Sequence, residues 1–275
     1  MQHLFRTCAL ALVAPLSAFA VAQPAAAGVG DLLVAPTRIV LDGGRGTELI
    51  LNNIGEEPAT YRISVEFRRM KLDGTLDEVS EPTAHEKAAA DMIVYAPRRV
   101  TLAPHEPQAI RIAARPPQGL PDGEYRVHML FRAVPKPSPV VPASSEPPKG
   151  VQLRLVPIYG VTIPVIVRLG NLNAKSGIAD VKLETRDGKP AVGLQLSRSG
   201  TRSTFGEVRV LKAGIKDPIA VQKGVAVYTE VGGRHVALPI DERFAGQAAG
   251  PVTVQFVETD DSGARTVAET QAVLR

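Results

Sequence analysis

Residues 151–168 read VQLRLVPIYGVTIPVIVR, the longest strand-like run of the chain. Its first part alternates: Val151, Leu153 and Leu155 share one face and polar residues share the other, as is typical of a half-buried strand. From 156 to 167 nearly every residue is apolar. This part of the run should therefore be covered on both faces.

Two prolines interrupt the run, Pro157 and Pro164. A proline lacks the N–H that a sheet ladder needs, so it belongs on an edge strand, at a bulge or at a bend. The two are an odd number of residues apart, so their missing N–H groups would face opposite sides of a regular strand. A bend at Gly160 is the simplest solution, with half of the strand on an open sheet edge. Because a long apolar edge is an aggregation hazard unless another chain covers it, the run predicts pairing with a second protein.

The first 27 residues predict a cleavable export signal. Arg6 begins a weakly basic start, and the apolar run Cys8–Ala20 that follows is too short to span a bilayer. Small-residue cleavage patterns end at Ala20 and at Ala27, and the second is preferred; an uncleaved anchor is the alternative. No later run of the sequence approaches the ~20 apolar residues of a membrane helix. We therefore expect an exported protein without membrane insertion.

Composition narrows the class of protein. The one cysteine, Cys8, lies in the signal segment, so the mature chain should rely on burial rather than disulfides. Of 32 basic and 28 acidic residues, the signal removes only Arg6, which leaves a net charge of +3. This small excess, with few aromatic residues, argues against a nucleic-acid partner. Abundant Val, Gly and Pro favour an all-β fold, and the length suffices for two domains.

Short strand-like segments separated by Pro or Gly predict two β-sandwiches in tandem. The first segment, 32–41, is broken by Pro36, and residues 59–67 alternate as a half-buried strand does. A short helical turn is expected within 85–92. The proline-dense segment 135–149 is interpreted as an extended loop inside the first domain, because the strand after it is needed to complete that sheet; an interdomain linker is the alternative. The expected organisation is a signal peptide (1–27), a first domain (28–168) and a second domain (169–275).

Residue patterns that carry chemistry are scarce. The histidines lie without metal-ligand spacing, and His128 alternates with apolar neighbours as a structural histidine does. The sequence has no glycine-rich phosphate loop that opens a helix and no Gly-x-Ser-x-Gly nucleophile elbow. We therefore expect no enzyme activity, no cofactor and no metal site.

Several segments together resemble the periplasmic pilus-assembly chaperones, the PapD-like family. PTRIVLDG (36–43) is similar to that family's opening strand, and APRRVTLAPHEPQAIRI (96–112) to its proline-started strand with the turn and strand that follow. GEYRVHMLFRAVP (123–135) is similar to a Glu-led strand that ends in proline. The run 151–168 lies where the family has its donor strand, and weak similarity continues through FVETDDSGA (256–264).

The resemblance implies two immunoglobulin-like domains in an L or boomerang arrangement. It also implies a periplasmic chaperone that stabilises pilus or fimbrial subunits by lending them an edge strand, for delivery to an outer-membrane usher. The family's first-strand anchor for the subunit carboxylate matches Arg38, and its donor residues match Val151, Leu153 and Leu155.

Two further family features fall on named positions. The interdomain charge cluster matches Glu124, Arg168 and Asp261, with Asp260 as the alternative to Asp261. The second carboxylate anchor is a lysine four residues before the arginine matched to Arg168, and this sequence has Pro164 there. The chain is therefore expected to be a divergent member.

Two other functions stay open from the sequence. A secreted structural pilus or adhesion component is the first alternative; it should carry a donor extension near its own N-terminus and lack a strand. A secreted β-sandwich hydrolase or binding protein is the second, which the scarcity of aromatic residues and of clustered carboxylates disfavours.

Overall fold

A computed structural model describes residues 31–135, 158–260 and 263–275. The chain forms two immunoglobulin-like β-sandwiches in tandem, as predicted. The first contains eleven strands and a helix: β1 (Leu32–Ala35), β2 (Ile39–Leu41), β3 (Thr47–Asn53), β4 (Ala59–Glu66), β5 (Arg68–Met70), β6 (Leu76–Glu78), α1 (Ala84–Met92), β7 (Ile93–Ala96), β8 (Arg99–Leu102), β9 (Pro107–Ala114), β10 (Gly123–Val134) and β11 (Gly160–Leu169).

The second sandwich contains seven strands and a short 3-10 helix: β12 (Ala174–Arg186), β13 (Lys189–Gly200), β14 (Thr204–Leu211), β15 (Ala220–Val227), β16 (Gly233–Pro239), the 3-10 helix Glu242–Gln247, β17 (Gly250–Asp260) and β18 (Gly263–Leu274). Its two sheets have the strand orders β12-β13-β16 and β15-β14-β17-β18. The side chains between the sheets are mostly aliphatic, with Phe256 fully buried among them. The domain limits 28–168 and 169–275 stay a prediction.

The first sandwich is closed by a strand that changes sheets. β1 pairs with β3 in the sheet β1-β3-β9-β7, whereas β2 pairs with β11 in the sheet β2-β11-β10-β4-β8. The predicted break of the first strand at Pro36 is therefore the point where the chain crosses to the other sheet. The predicted helical turn is α1, which begins with Thr83 and Glu86 in a reciprocal capping box.

β11 is buried on both faces only from Ile163 to Val167; Ile158 and Tyr159, which the apolar sequence also predicts to be covered, are exposed. Val165 and Val167 are fully buried in the core of the first sandwich. Ile166 points the other way and is fully buried in a separate cluster with Met70 and with Tyr228 of the second sandwich. The apolar run thus serves two cores at once, one within a sandwich and one between the two.

The predicted bend at Gly160 is wrong. The ladder between β10 and β11 shows no register shift from Leu169 to Gly160, and it continues with the Ala133 N–H, which donates to the carbonyl of Tyr159 at 2.9 Å. In an antiparallel ladder every second residue pair is hydrogen-bonded. Ala133 and Tyr159 form such a pair, so Pro164, five residues further along β11, lies in a pair that is not hydrogen-bonded. Its missing N–H faces away from β10 and interrupts no bond there, so no bend is needed.

The outer edge of β11 is paired over only part of its length. β2 pairs with Val165, Ile166 and Val167 in parallel. In the described parts of the chain, no strand pairs with the outer edge of 160–164. Gly160 and Thr162 also lie in pairs that are not hydrogen-bonded to β10, so their backbone N–H and C=O groups face this outer edge. Residues 160–164 thus have an outer edge that no described strand covers. The predicted donor residues Val151, Leu153 and Leu155 lie outside the described residues, so the open edge there stays a prediction.

Candidate functional site

Arg38 lies in the cleft between the two sandwiches, immediately before β2. Its Nη2 donates to Ser203 Oγ of the second sandwich at 3.5 Å, and its guanidinium carbon lies 4.5 Å from the ring centroid of Phe205. The buried Nη1 finds no hydrogen-bond partner among the described residues. An arginine held on an aromatic face with one N–H group unsatisfied is a ready donor to an anion.

The electrostatic surroundings of Arg38 leave its charge poorly balanced. Burial lowers the pKa of Arg38, and the positive charges of Arg168 and Arg126 act in the same direction. Tyr228 and, to a smaller extent, the negative charge of Glu124 offset part of this effect. A buried guanidinium that lacks a full counter-charge gains free energy when a carboxylate arrives, because the carboxylate supplies both the charge and the missing acceptor.

Glu124 and Arg168 are brought together, facing each other on β10 and β11. Arg168 Nε donates to Glu124 Oε2 at 3.0 Å, and the N–H of Ser203 donates to the same oxygen at 3.0 Å. Arg168 Nη2 also donates to the carbonyl of Ser203 at 3.2 Å. The pair therefore joins the two sandwiches through the backbone of Ser203, with the Glu124 side chain 1 % exposed.

The third predicted member of the charge cluster is not placed by the structure. Asp261 lies outside the described residues, and the side chain of Asp260, its alternative, is not described either. The carboxylate that β17 does bring to the cleft is Glu258, which forms a two-pronged ion pair with Arg202 at 3.0 and 3.1 Å. The role of Asp261 stays a prediction.

These groups border a cavity of about 480 Å³ between the sandwiches. Its lining joins Arg38, Val40 and Arg168 of the first sandwich to Arg202, Phe205, Glu258 and Thr259 of the second. Among the described residues, Arg168 and Arg202 are each held by a carboxylate, whereas Arg38 is not. The cavity is therefore suited to a single carboxylate group, with Arg38 as its donor.

A second set of contacts between the sandwiches was not anticipated from the sequence. Arg126 of β10 donates to both carboxylate oxygens of Glu230, at 2.5 and 3.0 Å, and its guanidinium carbon lies 3.7 Å from the ring centroid of Tyr228. The N–H of Met70 also donates to Glu230, at 2.7 Å. The β5–β6 hairpin thus bonds to the second sandwich and adds a second connection between the two.

His128 is buried beside these contacts. Its side chain lies edge-on to Tyr228 with the ring centroids 6.3 Å apart, and neither ring nitrogen has a hydrogen-bond partner among the described residues. Burial lowers the pKa of His128 to about 3, and the positive charges of Arg126 and Arg68 add to this effect. The structure thus bears out a structural histidine, held in its neutral form.

The free energy of unfolding should fall as the pH is lowered through the ordinary histidine range. The unfolded chain binds a proton at His128 below about pH 6.5, whereas the folded chain does not do so until near pH 3, so acid favours unfolding. At pH 5 this one group costs about 2 kcal/mol.

The measurement is denaturant unfolding of the wild type and of His128→Leu at pH 7 and pH 5. Between pH 7 and pH 5, the free energy of unfolding should fall by about 2 kcal/mol less in His128→Leu than in the wild type. His105→Asn is the matched control, since His105 is exposed and Asn tolerates its positive φ of 59°. An identical pH dependence in wild type and His128→Leu would contradict the prediction.

Arg38, Glu124 and Arg168 were singled out by resemblance, but their partners were not. Ser203 and Phe205 follow the turn after β13, and Ser203 is separated from Arg38 by 165 residues. A serine just before a strand and a phenylalanine within it carry no pattern of their own. Only the packing of one sandwich on the other reveals them.

Two features are absent from the described residues. No helix in them combines the length and the apolar character needed to cross a membrane. Within the same residues, no group of three or more His, Cys, Asp or Glu side chains is arranged to hold a metal ion.

Comparisons with known proteins give structural likeness only. No protein-family model and no curated protein matches the chain. Among solved structures, the Pseudomonas aeruginosa CupB2 chaperone is 13 % identical at a TM-score of 0.46 and covers 88 % of this chain and 100 % of its own. The E. coli chaperone DraB is 16 % identical at a TM-score of 0.45, with 90 % and 99 % covered.

A third similar structure is the Salmonella enterica SafA pilin in complex with the SafB chaperone, at 17 % identity and a TM-score of 0.45, with 90 % of this chain and 99 % of that chain covered. All three similar structures are described as chaperones, and the third is a complex of a chaperone with a pilin.

Proposed function

We propose that this protein is a non-enzymatic periplasmic chaperone that binds secreted pilus or fimbrial subunits along the open edge of β11 and captures their terminal carboxylate at Arg38. The observation that carries the proposal is that the open edge of β11 and Arg38 lie next to each other. β2 begins opposite Val165, so the open edge of 160–164 ends where Arg38 lies. One extended segment can therefore pair with the edge and reach Arg38 with its terminus.

The direction of the bound segment follows from this placement. β11 runs from the open edge toward the cleft, and β2 is parallel to it. A partner strand whose C-terminal carboxylate meets Arg38 must run the same way, parallel to β11 and in line with β2. Its backbone groups then bond to those of Gly160 and Thr162, which face the open edge.

The partner that gains most from such pairing is a β-sandwich that lacks one strand. Its groove exposes apolar side chains together with unpaired N–H and C=O groups, and an extended strand from another chain satisfies both. Val151, Leu153 and Leu155 are proposed as the side chains that fill this groove, since they precede the open edge in the same run.

The remaining features of the proposal come from the sequence. A signal peptide over 1–27 directs export, and two domains, 28–168 and 169–275, form the cleft, with Asp261 added to the pair of Glu124 and Arg168. Binding needs no cofactor or metal, because main-chain hydrogen bonds and one ion pair supply the recognition. Delivery of the bound subunit to an outer-membrane usher completes the proposed role.

Thr162→Pro tests the edge directly. The Thr162 N–H faces the open edge, in the same alternation as Pro164, so a proline there should leave the β10 ladder intact while removing a donor to the partner. The partner carbonyl left unsatisfied costs about 1–3 kcal/mol, a roughly 5- to 150-fold loss of affinity.

The control is Thr162→Val, which keeps the N–H but removes the hydroxyl that donates to Glu66 at 3.1 Å. Tagged wild type and both variants are purified from the periplasm, the co-purified subunit is identified by mass spectrometry, and its affinity is measured. Loss in Thr162→Pro and retention in Thr162→Val is expected. Equal capture by all three proteins would show that the edge is not the binding site.

A further inference from the structure

Three exposed arginines stand in one row on the outer face of the first sandwich. Arg62 of β4 lies directly opposite Arg99 of β8 on one side and directly opposite Arg132 of β10 on the other. Like charges that face each other across adjacent strands destabilise a sheet. The row thus carries two repulsive contacts side by side.

Acidic neighbours do not neutralise the row. Within the described parts of the chain, none of the three arginines takes part in a salt bridge. The carboxylate on the same face of β4, four residues from Arg62, is Glu66, which is paired with Arg68 and accepts from the hydroxyl of Thr162. The positive charge of the row is therefore available to pair with acidic groups of a partner.

The row continues to the open edge. Arg132 lies opposite Gly160 of β11, and beyond Gly160 the next position belongs to any strand that is added there. Gly160 has no side chain, so Arg132 is separated from that position by two strand spacings, roughly 9–10 Å, without an intervening side chain from β11. The Leu130 side chain borders this gap: its Cδ1 would lie 3.0 Å from a Cβ atom placed on Gly160.

We propose that Arg132 selects partner strands that carry an acidic side chain opposite Gly160, with Arg62 and Arg99 raising the positive potential behind it. The inference rests on the proposed function, because it requires a strand on the open edge. It adds the chemistry of the partner: an extended segment whose face outside the groove bears Asp or Glu at one defined position.

The chain's own segment is a poor occupant of this position. Residues 136–157 contain one carboxylate, Glu146, against Lys136, Lys149 and Arg154. A net positive segment would add to the repulsion. Charge complementarity therefore favours an acidic strand of a second protein.

The probes are three 10-residue peptides of alternating valine and threonine in which one central threonine is replaced by Glu, Gln or Lys. Their C-termini are amidated, so Arg38 makes no contribution. With threonine at the other positions of that face, a peptide can slide until the replaced residue lies opposite Gly160. Affinities are measured by fluorescence anisotropy for the wild type, Arg132→Gln and the control Arg111→Gln, whose arginine is exposed on the other sheet.

The wild type should bind the Glu peptide about five- to tenfold more tightly than the Lys peptide, with Gln between them. The ratio should fall to about one in Arg132→Gln and persist in Arg111→Gln. Equal binding of all three peptides by the wild type, or a ratio that survives Arg132→Gln, would overturn the selection while leaving the edge intact. If none of the peptides binds, edge pairing itself fails, and the proposed function fails with it.

A second measurement does not need a peptide. Arg62→Thr removes both repulsive contacts of the row, so the melting temperature of the free protein should rise by about 1–3 °C at low salt and by less at high salt. An unchanged or lowered melting temperature would show that the row is not strained by its charges and would overturn the proposal. Displacement of the Glu peptide by a single-stranded oligonucleotide of higher affinity would assign the row to nucleic acid instead.

Discussion

Replacing Arg38 with alanine should weaken binding of a subunit by about 2–5 kcal/mol, which corresponds to a roughly 30- to 5,000-fold rise in Kd. Arg38 is the arginine of the cleft that has no carboxylate partner in the described structure, and its buried Nη1 lacks an acceptor. A bound carboxylate would lose its main donor in the variant while it stays desolvated. That residual burial is the reason for the large cost.

The decisive comparison uses a partner whose C-terminus is extended by two glycines, which moves its carboxylate away from Arg38. On the wild type, the extension should cost about as much as Arg38→Ala does. The two losses should not add, since both remove the same interaction. Arg111→Ala, an exposed arginine paired with Glu48, serves as the control and should leave Kd unchanged. Additive losses would mean that Arg38 does not bind the terminal carboxylate.

Glu124→Ala should lower the free energy of unfolding by about 3 kcal/mol, the scale expected when one partner of a buried ion pair is removed. The variant leaves the Arg168 guanidinium and the N–H of fully buried Ser203 without the oxygen that both now share. Because Ser203 belongs to the second sandwich and Arg168 to the first, the loss falls on the contact between the two.

Urea unfolding followed by circular dichroism measures this change. Glu48→Ala is the matched control: Glu48 also pairs with an arginine, Arg111, but on the exposed surface, so its loss should stay within about 0.5 kcal/mol. Small-angle scattering at native conditions should detect a wider range of interdomain angles for Glu124→Ala only. Equal stability of the two variants would mean that the buried pair contributes no more than a surface pair.

The strands could be predicted because their signals are local. Alternation in 59–66, the Pro36 break and the apolar run up to Val167 each follow from period-two patterning and from the missing N–H of proline. The same reasoning failed at Gly160. It proposed one bend to accommodate both prolines, whereas the effect of Pro164 depends on which side of the strand its nitrogen faces. That side is fixed by the register with β10, which the sequence does not specify.

Only some of the residues that form the cleft could be predicted from the sequence. Arg38, Glu124 and Arg168 lie in motifs that can be recognised, but an arginine gains a function from its surroundings. The Ser203 hydroxyl, the Phe205 ring and the contact between Arg126 and Glu230 join residues more than 100 positions apart. No periodicity in the chain reports such pairs.

The sequence by itself determined the all-β fold, the two sandwiches, the break at Pro36 and the apolar strand beside an edge, because each depends on the spacing of apolar residues and prolines along a short segment. The tertiary structure alone decided that the edge ends at Arg38, that this guanidinium has no carboxylate partner among the described residues, and that three arginines line up in register. Those properties arise from the alignment of distant strands, where burial and neighbouring charge, rather than residue type, set what a side chain can do.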